Sequence, residues 1–225
     1  GKEVLAFILV PAGHAGANKE LLHNLELPYQ AVTSTDLYLT HYLNDSANDP
    51  VMNRIRAQKL RNSEEDKVKI FFVPSYLNGD DGVLNMPYYD LLVGMDLTAF
   101  PSYYEPWGYT PLESLAFKVP TITTTLAGFG LWVKEHYNMN HPGIEVIHRE
   151  DGDASNVATA IAEWVKNYTQ VGETEMQKDR DNAKDVSRIA LWDNLINYYK
   201  RAYTIALDRV SVRLKDLPAN MNESV

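Results

Sequence analysis

Two glutamates, Glu105 and Glu113, stand on either side of Pro-Trp-Gly-Tyr-Thr-Pro-Leu. The spacing puts one carboxylate before a tight turn, backbone N–H groups within it, and a second carboxylate about one turn into a helix. The first N–H groups of a helix have no partners inside it, and the helix dipole adds partial positive charge. A phosphate placed at Gly108, Tyr109 and Thr110 is therefore held without a basic side chain. Gly108 lets the backbone approach closely. Glu113 can accept hydrogen bonds from two vicinal ribose hydroxyls. Glu105, between Tyr104 and Pro106, can face a sugar ring and stabilise positive charge at an anomeric carbon. Together these groups suit a sugar nucleotide. Singly, each has a plainer reading: an ordinary strand–helix turn with aromatic packing, a solvated helix glutamate, a surface glutamate. Only the joint spacing lifts them above it.

Other candidates are weaker. Asp80-Asp81 and Asp151-Gly152-Asp153 resemble fragments of an acidic metal site, but both lie in Gly-containing loops, where Asp is a common turn residue. The six histidines show no metal-ligand spacing. The nucleophile elbow Gly-x-Ser-x-Gly and the phosphate-binding Gly-x-x-x-x-Gly-Lys-Ser/Thr do not occur. No metal and no cofactor are expected.

The elements that must position the motif read as strands alternating with helices. Val4–Val10, Lys69–Val73, Leu97–Phe100, Thr121–Thr125 and Glu145–His148 are short apolar or β-branched runs, and proline follows the first three directly. That is the pattern of buried strands in a parallel sheet. Loops at the carboxyl edge of such a sheet are where open α/β folds bind ligands. Helices are expected at Pro50–Leu60, Pro87–Met95, Thr110–Lys118, Val157–Tyr168 and Leu191–Val210, with Ser155 or Asp153 capping the fourth. The wide apolar face of the last predicts burial against something substantial. The alternation predicts a Rossmann-like, doubly wound parallel sheet flanked by helices, as one domain over 1–215 with a polar, frayed tail over 216–225. No internal repeat and no domain-scale linker is visible.

Composition agrees with a packed α/β domain. The 225 residues are 45% hydrophobic. No window approaches 18 uninterrupted apolar residues, and no signal sequence opens the chain. With 21 basic against 30 acidic residues the net charge is −9, the wrong balance for a duplex nucleic-acid partner. The absence of cysteine excludes a disulfide framework, and a cytoplasmic protein is expected. Asn-x-Ser/Thr triplets at Asn44, Asn167 and Asn222 read as chance. A start at Gly1 instead of Met suggests a piece excised from a longer protein.

At FPSYYEPWGYTPLE and VPTITTTLAGFG the chain resembles the animal and fungal type of glycogen synthase, a retaining glycosyltransferase family with a two-domain GT-B fold. The likeness extends through THYLNDSANDPVMNRIRAQKL, DKVKIFFVPSYLN and LWDNLINYYKRAYTIAL, from about Thr40 to about Arg209. The resemblance implies the C-terminal half of such a fold, of bacterial origin, and transfer of glucose from UDP-glucose to the 4-hydroxyl of an α-1,4-glucan with retention. It makes Glu105 the catalytic carboxylate and brings the distal phosphate to the backbone at Gly108, Tyr109 and Thr110, beside Trp107. Glu113 would bind ribose, and Tyr88, in LNMPYYDLL, would stack on uracil. The family's N-terminal acceptor domain and the Arg and Lys that neutralise its diphosphate are not in this sequence, so the 225 residues alone are expected to be inactive. The acceptor would be met through that domain, and self-association through the Leu191–Val210 helix is an expected partner interaction. Arg180 and Arg188 are the only arginines where eukaryotic members carry a glucose-6-phosphate-sensing helix, which argues against that regulation. Val73 replaces a usual histidine. The alternatives are another GT-B transferase using ADP-glucose or a different acceptor, and a non-catalytic sugar-nucleotide or glucan-binding module.

Overall fold

The computed structural model of the protein describes residues 2–28, 38–138 and 143–215. The expected tail, 216–225, lies outside them. Contacts gather into two compact units, Gly1–Gly94 and Met95–Val225.

In the first unit, β1 (Val4–Leu9) and β4 (Val68–Val73) pair in parallel, from Val4 opposite Val68 to Leu9 opposite Val73. Residues Tyr38–Thr40 lie along the other side of β4, where the Phe72 amide donates to the Tyr38 carbonyl and the Thr40 amide to the Phe72 carbonyl. Two short strands not foreseen, β2 (His14–Ala17) and β3 (His41–Leu43), pair antiparallel. Among the described residues three helices complete the unit: α1 (Lys19–Glu26), α2 (Pro50–Ala57) and α3 (Tyr88–Val93). Asp49 caps α2 by accepting from the Met52 amide, and proline occupies the first turn, where its missing N–H costs nothing. Met52, Ile55, Phe72, Tyr38 and Leu39 form the core.

In the second unit, β5 (Thr98–Ala99), β6 (Thr121–Thr124) and β7 (Ile144–Ile147) form a parallel sheet in that order. Its helices are α4 (Tyr109–Ala116), α5 (Gly128–His136), α6 (Ala154–Tyr168), α7 (Glu173–Ile189) and α8 (Trp192–Lys215). Side chains alternate across a strand, and both faces of this sheet are covered. Ile144 and Val146 pack with Leu115 of α4, Phe129 and Val133 of α5, and Ala183 and Val186 of α7. Ile122 and Ile147 pack with Val157 of α6. Parallel strands with helices on both faces make the fold α/β and Rossmann-like, as the alternation predicts. Two expectations change. Asp153 stands at the N-cap of α6, but neither it nor Ser155 caps the helix through its side chain. The long C-terminal helix is largely exposed: Trp192, Tyr199, Tyr203 and Leu207 face solvent within this chain. Periodicity reveals an apolar face but not what covers it.

Candidate functional site

The strand β5 is only two residues long, and the chain leaves it through Phe100–Tyr104 into the turn. Backbone pairing then takes over. The Glu105 amide donates to the Leu126 carbonyl at 3.1 Å, and the Gly128 amide to the Glu105 carbonyl at 3.0 Å. The Phe129 amide donates to the Trp107 carbonyl at 2.6 Å. Two successive loops at the carboxyl edge of the sheet are thus zipped together. They come so close that a Cβ at Gly128 would fall 2.1 Å from the Pro106 carbonyl oxygen, so no other residue fits there. From below, the Trp107 indole packs edge-on to Phe129 and against Trp132, with centroids 5.6 and 5.7 Å apart.

Gly108 is the N-cap of α4, at φ 107°, a left-handed conformation that a side chain strains. It offers no capping side chain. The amides of Tyr109 and Thr110 have no acceptor among the described residues. Pro111, the next residue, has no N–H, so the helix opens with a small set of free donors directed outward. The helix itself is fixed from behind. Ser114, fully buried, shares hydrogen bonds with the hydroxyls of Thr98 and Thr121 at 2.7 and 2.9 Å, tying α4 to β5 and β6. A free N-terminus on a rigidly seated helix has the donors and the dipole to receive an anion.

The structure brings Glu105 to this helix end. A Cβ at Gly108 would lie 3.5 Å from Glu105 Cγ, so the glutamate side chain passes directly beside the N-cap. Both Glu105 and Glu113 are partly exposed, and neither carboxylate has a partner among the described residues. Glu105, Trp107, Gly108, Tyr109, Thr110 and Glu113 therefore share one turn and one helix, as their spacing suggests. The Tyr109 side chain is 70% exposed. Tyr88 is the first residue of α3 in the other unit, half-buried beside Tyr89 with ring centroids 5.4 Å apart.

Of the acidic pairs, Asp81 behaves as a turn residue. Asp81 accepts from the amides of Val83 and Leu84 on one oxygen and Asn85 on the other, at 2.8–3.0 Å. Burial alone pushes its carboxyl upward, but the amides of Leu84, Val83 and Asn85 outweigh that and hold its pKa below the ordinary 3.8. Among the described residues no three His, Asp or Glu side chains gather as a metal would require, and no helix is long and apolar enough to cross a membrane. Sequence reading passed over Gly128 and Arg149. The first was visible only as a glycine in LAGFG; the second follows β7 at the ligand-binding edge of the sheet, and that position is a signal.

The glycogen synthase family profile matches residues 21–223. Glycogen (starch) synthase isoform 1 of Saccharomyces cerevisiae is 32% identical over 174 residues, which cover 76% of this chain and 25% of that protein. The Neurospora crassa enzyme is 34% identical over 172 residues, 76% of this chain and 24% of that protein. The Caenorhabditis elegans enzyme is 35% identical over 167 residues, 73% and 25%. The chain thus spans about a quarter of the length of the curated relatives it matches. A solved structure, a glycosyltransferase from Rickettsia africae, is 20% identical with a TM-score of 0.42, covering 90% of this chain and 48% of that one. On the profile match over most of its length, the chain belongs to the glycogen synthase family.

Proposed function

We propose that this chain forms the nucleotide-sugar side of a retaining glucosyltransferase that moves glucose from UDP-glucose to the 4-hydroxyl of an α-1,4-glucan. The observation that carries the proposal is the Glu105 side chain beside Gly108, at a helix end whose first amides are free. In this assignment the amides at Gly108, Tyr109 and Thr110 receive the distal phosphate. They stabilise the charge that builds as the bond from the anomeric carbon to the phosphate oxygen breaks. Glu105 faces the glucose and offsets the positive charge developing at that carbon. The acceptor oxygen bonds the same face, and its proton passes to the departing phosphate. Glu113 holds the ribose hydroxyls, and Trp107 buttresses the turn. Tyr88 carries over from the family motif as the residue that stacks on uracil. No metal or cofactor is assigned to the step. An acidic chain without cysteine fits a cytoplasmic enzyme. Assayed as these 225 residues alone, the chain would bind donor and transfer little, because the reaction needs an acceptor oriented against the donor.

The test uses the protein in its natural full length. Calorimetry with UDP, UDP-glucose and ADP-glucose identifies the donor, and labelled-glucose transfer to glycogen measures the reaction. Glu105→Gln is expected to lower kcat by about a hundred- to a thousandfold with little change in donor affinity. Glu113→Ala is expected to weaken UDP binding by about tenfold. A protein that binds no uridine nucleotide at millimolar concentration, or a Glu105→Gln enzyme at wild-type rate, overturns the proposal.

A further inference from the structure

Arg149, two residues beyond β7, is 4% exposed. A guanidinium is expensive to bury without compensation, yet no carboxylate among the described residues pairs with it. It is compensated by the loop that leads into the turn. Nη1 donates to the Pro101 carbonyl at 2.6 Å and reaches the Ser102 carbonyl at 3.4 Å. The guanidinium carbon sits 3.5 Å from the centroid of the Tyr103 ring, a cation–π contact. Thr124 adds a hydroxyl bond to the same Ser102 carbonyl at 2.9 Å. Arg149 is itself fixed through its backbone, whose amide donates to the Thr125 hydroxyl at 2.9 Å. Nε remains buried without a partner.

We propose that Arg149 is a positioning residue for Glu105. It clamps the entry of the loop at Pro101, Ser102 and Tyr103, while the backbone bonds to Leu126 and Gly128 hold its exit at Glu105. With both ends fixed, the intervening residues have little freedom to tilt the carboxylate. Stability alone does not account for a charge here. Apolar replacements of similar volume at buried ionic sites are often neutral or stabilising. A planar fork that bonds carbonyls in its plane and stacks on a ring with its face specifies one loop geometry, which an apolar side chain does not. The role rests on the proposed glucosyl transfer by Glu105.

The experiment compares Arg149→Met and Arg149→Lys with wild type in the full-length protein. In Arg149→Met, kcat for transfer falls on the order of tenfold to a hundredfold while the donor KM stays within about twofold, the signature of a misplaced catalytic group. Arg149→Lys, which can still donate to a carbonyl, recovers part of the loss. Amide hydrogen exchange in Arg149→Met speeds up across Tyr103–Glu105 and stays at wild-type rates in β6 and β7. Wild-type kcat in Arg149→Met, or exchange rising evenly through β5, β6 and β7, overturns the positioning role. A wild-type protein that transfers no glucose overturns the proposed function instead, and the exchange pattern then decides the role of Arg149.

Discussion

The turn at Glu105–Gly108 and the loop at Asn78–Pro87 both follow a parallel strand, and they are built in opposite ways. The turn is held by backbone against backbone, through Leu126, Gly128 and Phe129, and its carboxylate, Glu105, remains free among the described residues. The loop is held by a carboxylate: Asp81 grips three amides of its own segment, and its carbonyl accepts from the buried His41 ring at 2.8 Å. An acidic residue that builds a loop uses most of its lone pairs there, and the fully buried Asp81 carboxylate is closed to a ligand. One whose loop is built by other groups keeps its lone pairs for chemistry. Sequence shows two acidic turns; the difference between them is a matter of which atoms satisfy the amides.

Three measurements would break or sharpen that contrast. The largest effect is expected at the turn. Gly128→Ala forces a methyl group against the Pro106 carbonyl oxygen, between backbone bonds on both sides, and should cost about 3 kcal/mol. A lowered thermal midpoint of the second unit and loss of UDP binding are expected together. An unchanged midpoint would show that the zipped backbone does not hold the turn.

Asp81→Ala comes next, at about 2 kcal/mol near neutral pH, because three amides lose their acceptor. Since the fold lowers the pKa of Asp81, its stabilisation is complete above 3.8 and is lost as pH falls through the folded value. Urea unfolding at pH 7 and near pH 2 should therefore show a large difference between variant and wild type shrinking to a small one.

Asp179 in α7 is the smallest and has the opposite sign. It is 3% exposed with one oxygen unpartnered. Burial first, then the nearby Glu175, pushes its pKa up, with Lys178 opposing. The folded chain therefore holds the proton longer than the unfolded chain, and a stability cost appears as pH rises from 3.8 through the raised value. Asp179→Asn should gain about 1 kcal/mol at pH 7 and nothing near pH 3. A loss at pH 7 would mean that the carboxylate has a partner and belongs with Asp81.

Legibility followed local chemistry. The strands bounded by proline were readable because short, mostly apolar runs such as VLAFILV and IFFV, cut off by proline, admit few other structures, and α2 because Asp49 and Pro50 announce its start. The helix α5 was not readable: GFGLWVKEH opens with two glycines, poor helix formers, and its shape comes from Phe129 and Val133 packing into the core. The helix α7 was hidden by polarity. Its buried positions are Asp179, Ala183, Val186 and Ser187, a helical spacing in which two of the four residues are polar. The pair β2 and β3 is too short to show alternation.

By itself the sequence determined the alternation of parallel strands with helices, the family, and that two carboxylates bracket a helix start, because these depend on residues close together along the chain. Tertiary structure alone decided that Glu105 lies against Gly108, that Gly128 must be glycine, and that Arg149 reaches back across the sheet edge to Pro101. Those depend on atoms brought together by β5, β6 and β7 lying side by side. No local pattern encodes which distant carbonyl a buried guanidinium will meet.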